Sequence, residues 1–394
     1  MDIEIDLGAL LSDAATLVRI PSPTGDERAA LEALAGLADR VGLAADLHRH
    51  DLAALRAHPE HPGEEAPRDE LWGLTITRPG TAAGRLALNG HVDVVGLGTV
   101  PWTRAAGDVE DGRLYGRGSV DMKGAVVAAL HALAAAPDPL PEIVLQCVAS
   151  EEDGGLGTFA ALERDAAFDA AVIPEPTGFA VVCAQAGALT FRIVVPGRSA
   201  HAATRLEGSS AIDRYVRVHT ALQALEAHVN ADVQHPLMRE LALPYPLLVG
   251  RVSGGEWSSS VPDRVEAEGR LGVPVGADAA AARAQFEAVV AGALDDGEAP
   301  AEITWTGGAF LPAETAADHP WTRRVADAVA HERGRPTDIV GVPYGADMRL
   351  FTARGIPCVM AGTTGLERAH AVDEWVAIDE LAMLARVLVR VLRS

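Results

Sequence analysis

Two hydrophobic periods alternate along the first 185 residues. Apolar positions recur at helical spacing over 8–19 and 28–42, while 72–78 and 86–95 are short apolar runs. The second run, LALNGHVDVV, is apolar almost to its end, as expected of a strand covered on both faces. Residues 124–136, GAVVAALHALAAA, predict a helix, and EIVLQCVAS (142–150) and AAVIPE (170–175) predict two more buried strands. Strands alternating with helices predict an α/β fold whose mostly parallel sheet is flanked by helices.

The pattern changes near Gly187. LTFRIVVPGR predicts a strand, SSAIDRYVRVHTALQALEAHV a long helix, and PLLVGRVSG and RVEAEGRLGV two strands. A helix over AAARAQFEAVVAGAL and a strand over AEITWTG follow. Strand–helix–strand–strand–helix–strand is the ferredoxin-like order. The expectation is therefore an inserted ferredoxin-like α+β domain over 186–309, interrupting an α/β domain of 1–185 and 310–394. Strands over 338–342 and 357–362 and a helix over 378–392 resume the first pattern. Residues 56–70, RAHPEHPGEEAPRDE, read as an exposed loop. The histidines in and before it, His48, His50, His58 and His61, read as solvated.

The net charge of −22 repels phosphate backbones and anionic surfaces, which argues against nucleic acid and membrane partners. No run of 18 apolar residues suggests a membrane span, and the N-terminus does not read as a signal peptide. Cys147, Cys183 and Cys358 lie in or beside apolar runs without metal-type spacing, so they read as reduced core residues. The expected location is the cytoplasm. Lys123 is the only lysine, and it falls inside the densest motif.

Five segments place histidine or carboxylate at or beyond the end of an apolar run. They are GHVD with His91 and Asp93, DGRLYGRGSVDMKG with Asp121, SEEDGGLGT with Glu151 and Glu152, IPEPT with Glu175, and AHAVDEW with His370. Taken singly, such residues are ordinary caps, turn residues or surface groups. In open α/β sheets, however, sites form beyond the carboxyl ends of the strands, so these five segments could share one crevice. Two histidines with three or more carboxylates suit zinc.

From LVRIPSPTGDE (17–27) to AHAVDEWV (369–376), with GHVDVV, DGRLYGRGSVDMKG and SEED in that order, the chain resembles a family of zinc metallopeptidases and deacylases. That family includes acetylornithine deacetylase, succinyl-diaminopimelate desuccinylase, aminoacylase and the glutamate carboxypeptidases. The resemblance implies two Zn2+ per chain, with Co2+ or Mn2+ as possible substitutes. His91 and Glu175 would hold one ion and Glu152 and His370 the other, with Asp121, joined to Met122 by a cis peptide, shared between them. Asp93 would orient His91, and Glu151 would act as the general base on a water acidified by the metals. GRSAHAATRLEGSSAI (197–212) resembles a segment whose histidine crosses a dimer interface. That implies an oxyanion-stabilising His201, a homodimer formed through the inserted domain, and a lid motion.

One departure from the family is Ser259 in WSSSVPDR, where relatives often carry asparagine. Arg270 and Arg349 are candidate clamps for a substrate carboxylate, since a guanidinium can donate two parallel bonds. The expected activity is removal of an acyl group from an N-acyl amino acid. The alternatives are a dipeptidase or carboxypeptidase acting on short peptides and, as a different class, a non-catalytic homologue that binds amino acids.

Overall fold

The structure, a computed structural model, describes residues 4–294 and 297–393. These form two compact units. The first comprises residues 1–183, 314–340 and 346–394, and the second comprises 184–313 and 341–345.

The first unit is built on a mixed sheet. Part of this nine-stranded sheet runs in the order Ala44–Arg49, Trp72–Arg78, Glu142–Val148, Arg85–His91, Ala170–Ile173, Cys358–Met360. Glu142–Val148, Arg85–His91, Ala170–Ile173 and Cys358–Met360 are mutually parallel; Trp72–Arg78 is antiparallel to Glu142–Val148, and Ala44–Arg49 is antiparallel to Trp72–Arg78. The parallel strands are almost wholly buried, which explains why their sequences are apolar on both faces. Their register brings His91 level with Val148, and Met360 level with Ile173. The carboxyl ends therefore open at one edge of the sheet. Helix Lys123–Ala135 is apolar around nearly its whole circumference because it is buried beneath other helices; Ile378–Arg393 and Leu7–Arg19 both pack on it.

The strand expected over 86–95 stops at His91. Val92 and Val94 stay buried, but their N–H groups bond individually to the carbonyls of Val148 and Ser22 as the chain leaves the ladder. The strand Ala44–Arg49 was not foreseen, because its sequence, AADLHR, lacks a continuous apolar run. The 56–70 segment is only partly exposed: Pro62 and Arg68 are buried. All three cysteines are buried and unpaired, and burial pushes their thiols well above the ordinary range.

The second unit is a four-stranded antiparallel sheet ordered Leu247–Gly254, Arg264–Val273, Gly187–Pro196, Glu302–Phe310. Helices Ala211–Asn230 and Ala279–Ala293 cover one face, and their Val218, Leu222, Phe286 and Val290 pack with Phe191, Ile193, Val265 and Ala267. With strands numbered along the chain the order is 2-3-1-4, the ferredoxin-like arrangement. Among the described residues no helix is long and apolar enough to cross a membrane.

Candidate metal centre

The site lies where the parallel strands end. His91 is the last residue of its strand and is buried. Its Nδ1 is 2.9 Å from the main-chain oxygen of Asp93, which must accept. Nδ1 therefore carries a proton, and Nε2 is the nitrogen turned toward the neighbouring carboxylates. Nε2 faces Asp121 Oδ1 at 3.2 Å and Glu175 Oε1 at 3.8 Å. The other Asp121 oxygen, Oδ2, lies 3.5 Å from His370 Nε2, which is 3.0 Å from Glu152 Oε1. Two donor triads result, His91–Asp121–Glu175 and Asp121–Glu152–His370, each with its ligand atoms within 4.8 Å of one another. Asp121 gives one oxygen to each triad, and its peptide bond to Met122 is cis.

This donor set fits a pair of divalent cations. Each triad offers one imidazole nitrogen and two carboxylates, the mixture that zinc accepts. The protonation balance points the same way. Burial first, then Asp347, pushes the Glu151 carboxyl well above its usual range, and burial followed by Asp121 does the same to Glu175. Burial also raises Glu152, with His370 opposing it. Three carboxylates packed this closely, two of them buried, repel one another, and nearby cations reverse that balance.

Glu151 belongs to neither triad, yet it is buried beside them. The turn that carries it is braced from several sides. Asp93 was expected to fix the orientation and tautomer of His91, and its main-chain oxygen and carboxylate lie 2.9 and 3.5 Å from His91 Nδ1. The carboxylate also accepts the N–H groups of Glu151 and Glu152, both at 3.1 Å, and the Thr24 hydroxyl at 3.3 Å. Ser150 enters the turn in the left-handed region (φ 67°) and donates its hydroxyl to Asp153.

Arg349 was expected as a substrate clamp, and the structure gives it other work. It is buried, with Nη2 donating to the Gly154 carbonyl at 2.5 Å and Nη1 to the Ala346 carbonyl at 3.0 Å and to Asp347 at 3.3 Å. A guanidinium bonded in this way braces the Glu151–Gly155 turn from beneath.

Sequence reasoning also passed over a supporting pair. Glu374 is fully buried and accepts from Arg117 Nη1 at 2.7 Å and from the N–H groups of Val120 and Asp121 at 3.1 and 3.3 Å. Arg117 in turn donates to the main-chain oxygen of His370 at 3.1 Å. One ion pair therefore fixes the backbones of the shared ligand and of a terminal ligand. The available signal was position: both residues lie inside motifs already singled out, YGRGS and AHAVDEW.

His201, Ser259 and Arg270 belong to the second unit. His201 is exposed, its Nδ1 accepting the Ala203 N–H at 3.1 Å. Ser259 is exposed, and its carbonyl accepts the Ala202 N–H at 2.9 Å. Arg270 lies on strand Arg264–Val273 with its guanidinium 5.5 Å from the centre of the Phe310 ring.

Comparison with known proteins extends these observations. The profile of peptidase family M20/M25/M40 matches residues 87–394. A succinyl-diaminopimelate desuccinylase of Methylorubrum extorquens is 30% identical, over 97% of each chain. An acetylornithine deacetylase of Erwinia tasmaniensis is 27% identical, over 76% of this chain and 78% of that one. The fold is shared with a tripeptidase from Staphylococcus aureus at a TM-score of 0.77 and 21% identity, covering 99% of this chain and 98% of that one.

Proposed function

The chain belongs to peptidase family M20/M25/M40 and is a metal-dependent amidohydrolase or peptidase, and from that premise we propose that it removes the acyl group from an N-acyl amino acid. The observation that carries this reading is the division of labour around Asp121. Its two oxygens serve two triads, and Glu151 stands outside both.

His91 and Glu175 would hold one divalent cation and Glu152 and His370 the other, with Asp121 common to both. When bound, the cations, zinc being the ion this donor set suits, supply Lewis acidity toward an amide carbonyl and an attacking water. Glu151 takes the proton of that water and passes it to the departing nitrogen. Its burial keeps bulk water from competing for that proton. Asp93 holds the Glu151 and Glu152 main chain in place through two N–H bonds, and its carbonyl sets the tautomer of His91. The first unit is the catalytic domain in this reading, and the second serves as lid and dimerisation domain. There His201 donates to the oxyanion in a homodimer, while Arg270 and Ser259 contact the substrate.

The deacylase reading rests on the desuccinylase and deacetylase among the relatives. Incubating the zinc-loaded protein with N-succinyl and N-acetyl amino acids should release free amino acid. Clear dipeptide cleavage with no turnover of any acylated amino acid would replace this reading with a small peptidase. Glu151→Ala should remove turnover while metal content stays at the wild-type level, and surviving activity would refute the assignment of the proton carrier.

A further inference from the structure

Helix Leu7–Arg19 ends where Pro21 and Pro23 remove two N–H donors and hold the chain extended. That segment runs beside the chain beyond His91. Pro23 pairs with Val94 in parallel, the Val94 N–H donates to the Ser22 carbonyl at 3.0 Å, and the Thr24 N–H donates to the Val94 carbonyl at 3.2 Å. Further on, Trp102 folds back, and its indole N–H donates to the Leu97 carbonyl at 3.1 Å. With its one donor satisfied, the rest of the indole offers apolar surface.

These segments line a cavity of about 500 Å3, a size that accommodates a small molecule. Pro21, Val94, Leu97 and Trp102 are among its walls, and Leu97 is 57% exposed. In a chain of net charge −22, every charged residue of this lining is nonetheless cationic: Arg19, Arg104, Arg117 and Lys123. Arg104 is paired with Glu110 at 2.5 Å and Arg117 with Glu374 at 2.7 Å. Lys123 is buried and donates to the Ile20 carbonyl at 2.7 Å. Arg19 is exposed, and among the described residues it meets no carboxylate; its Nη2 donates to the Gly107 carbonyl at 2.9 Å. The remaining N–H groups of that guanidinium are left for an anion, and a carboxylate matches their geometry.

We infer that this cavity binds an amphipathic monocarboxylate, with its carboxylate on Arg19 and its hydrocarbon body against Leu97 and Trp102. One unpaired guanidinium matches one negative charge, and the apolar walls would desolvate a second charge without offering it a partner. The occupant also lies against the groups that steady the His370 segment. The Arg117 guanidinium stands 5.2 Å from the centre of the Trp102 ring and donates to the His370 carbonyl at 3.1 Å. Asp373 accepts the Thr103 N–H at 2.8 Å and the Thr103 hydroxyl at 2.6 Å. Binding therefore tightens the backbone around His370 without touching its side chain. The site is separate from the hydrolytic reading above, and its occupancy is measured without turnover.

The test titrates the full-length chain by calorimetry at pH 7.5 with octanoate and with 1-octanol, which has the same chain length without the charge. Wild-type protein should bind one octanoate per chain, about tenfold more tightly than octanol. Arg19→Gln should abolish that preference, and Leu97→Asp should weaken both ligands; both side chains are exposed, so neither change disturbs the core. Absence of saturable octanoate binding overturns the proposal, as does unchanged affinity in Leu97→Asp. An Arg19→Gln protein that keeps the preference overturns it too, since the carboxylate then sits elsewhere, the candidate metal centre included. A check without variants follows amide hydrogen exchange. Octanoate should slow exchange over 94–104 and 369–374, and slowing confined to other segments overturns the assignment.

Discussion

Arg68 is the perturbation that most directly tests how the turn bearing Glu151 and Glu152 is held. Its side chain is fully buried. Nη2 lies 3.0 and 3.2 Å from the two Asp153 oxygens, Nη1 3.4 Å from Glu27 Oε1, and Nε 3.4 Å from Glu64 Oε2. Asp153 also accepts the N–H groups of Glu65 and Ala66 and the Ser150 hydroxyl, so this cluster joins the 56–70 segment to the turn bearing Glu151 and Glu152. Methionine matches the length of arginine without its charge, so Arg68→Met strands Asp153 and Glu27 in the interior. Removing one partner of a buried ion pair costs about 3–5 kcal/mol. The expected loss lies toward the lower end, because Glu27 can neutralise itself. Burial, then Asp93, already raises its carboxyl to about 7, and Arg68 is among the groups opposing that rise. A carboxyl raised in the folded state favours folding at low pH and loses that advantage as pH rises through its folded value. The loss should therefore be larger at pH 8 than at pH 6. Urea unfolding at the two values measures it, with kcat and KM read on the same samples. Because the turn carries Glu151, the proposed proton carrier, and no proposed substrate contact, kcat should fall with KM little changed. A stability loss below about 1 kcal/mol at pH 8 would refute the buried-network argument. A full loss of stability with an unaltered kcat would refute the link to Glu151.

Gly155 sits at φ 75° just before helix Leu156–Arg164, and a methyl group there would fall on the Asp347 carboxylate. Gly155→Ala should lower stability by about 2 kcal/mol or more in chemical denaturation and reduce activity, since Arg349 braces the same turn. His50, lowered by burial to about 4, stays neutral in the fold while the unfolded chain protonates near 6.5. Its contribution is complete above pH 6.5 and is lost as pH falls toward 4, up to about 3 kcal/mol, so His50→Gln should flatten the acid limb of a Tm-against-pH curve. Chelation should lower Tm, because Glu151, Glu152 and Glu175 are left facing one another, and added zinc should restore it; a Tm indifferent to chelator would contradict the two-triad reading. Arg117→Leu should weaken zinc retention without touching a ligand, measurable by dialysis against chelator, because it frees the backbones of Asp121 and His370.

The legible parts of this chain are those where one physical demand governs every residue of a segment. A parallel strand covered on both faces must be apolar throughout, so LALNGH, EIVLQCV and AAVI announced themselves, and the chemistry beyond their ends followed from sheet topology. The ferredoxin-like order of the second unit was readable for the same reason, since each of its six elements has its own period. The edge strand Ala44–Arg49 escaped notice because an edge strand buries only part of its surface, and its alternating burial leaves no apolar run.

What the sequence hid is the layer that acts through charge. Arg68 stands in a stretch rich in proline and acid whose composition says loop and solvent, and nothing local shows that its partners, Glu27 and Asp153, lie 41 and 85 residues away. The same holds for Arg349, which was noticed for its residue type and then given the role suited to a side chain facing a ligand, whereas it donates to the backbone of the turn beside the candidate metal centre. The distinction has a physical basis. A ligand histidine or carboxylate needs only to arrive at the end of a strand, and strand ends are marked by where apolar runs stop. A bracing residue must meet a particular carbonyl or N–H, and that meeting depends on long-range packing that hydrophobic periodicity does not encode. His48 and His50 show the cost of that blindness most directly. Composition placed them with their solvated neighbours, but the register with Gly73 turns their two nitrogens inward against its backbone.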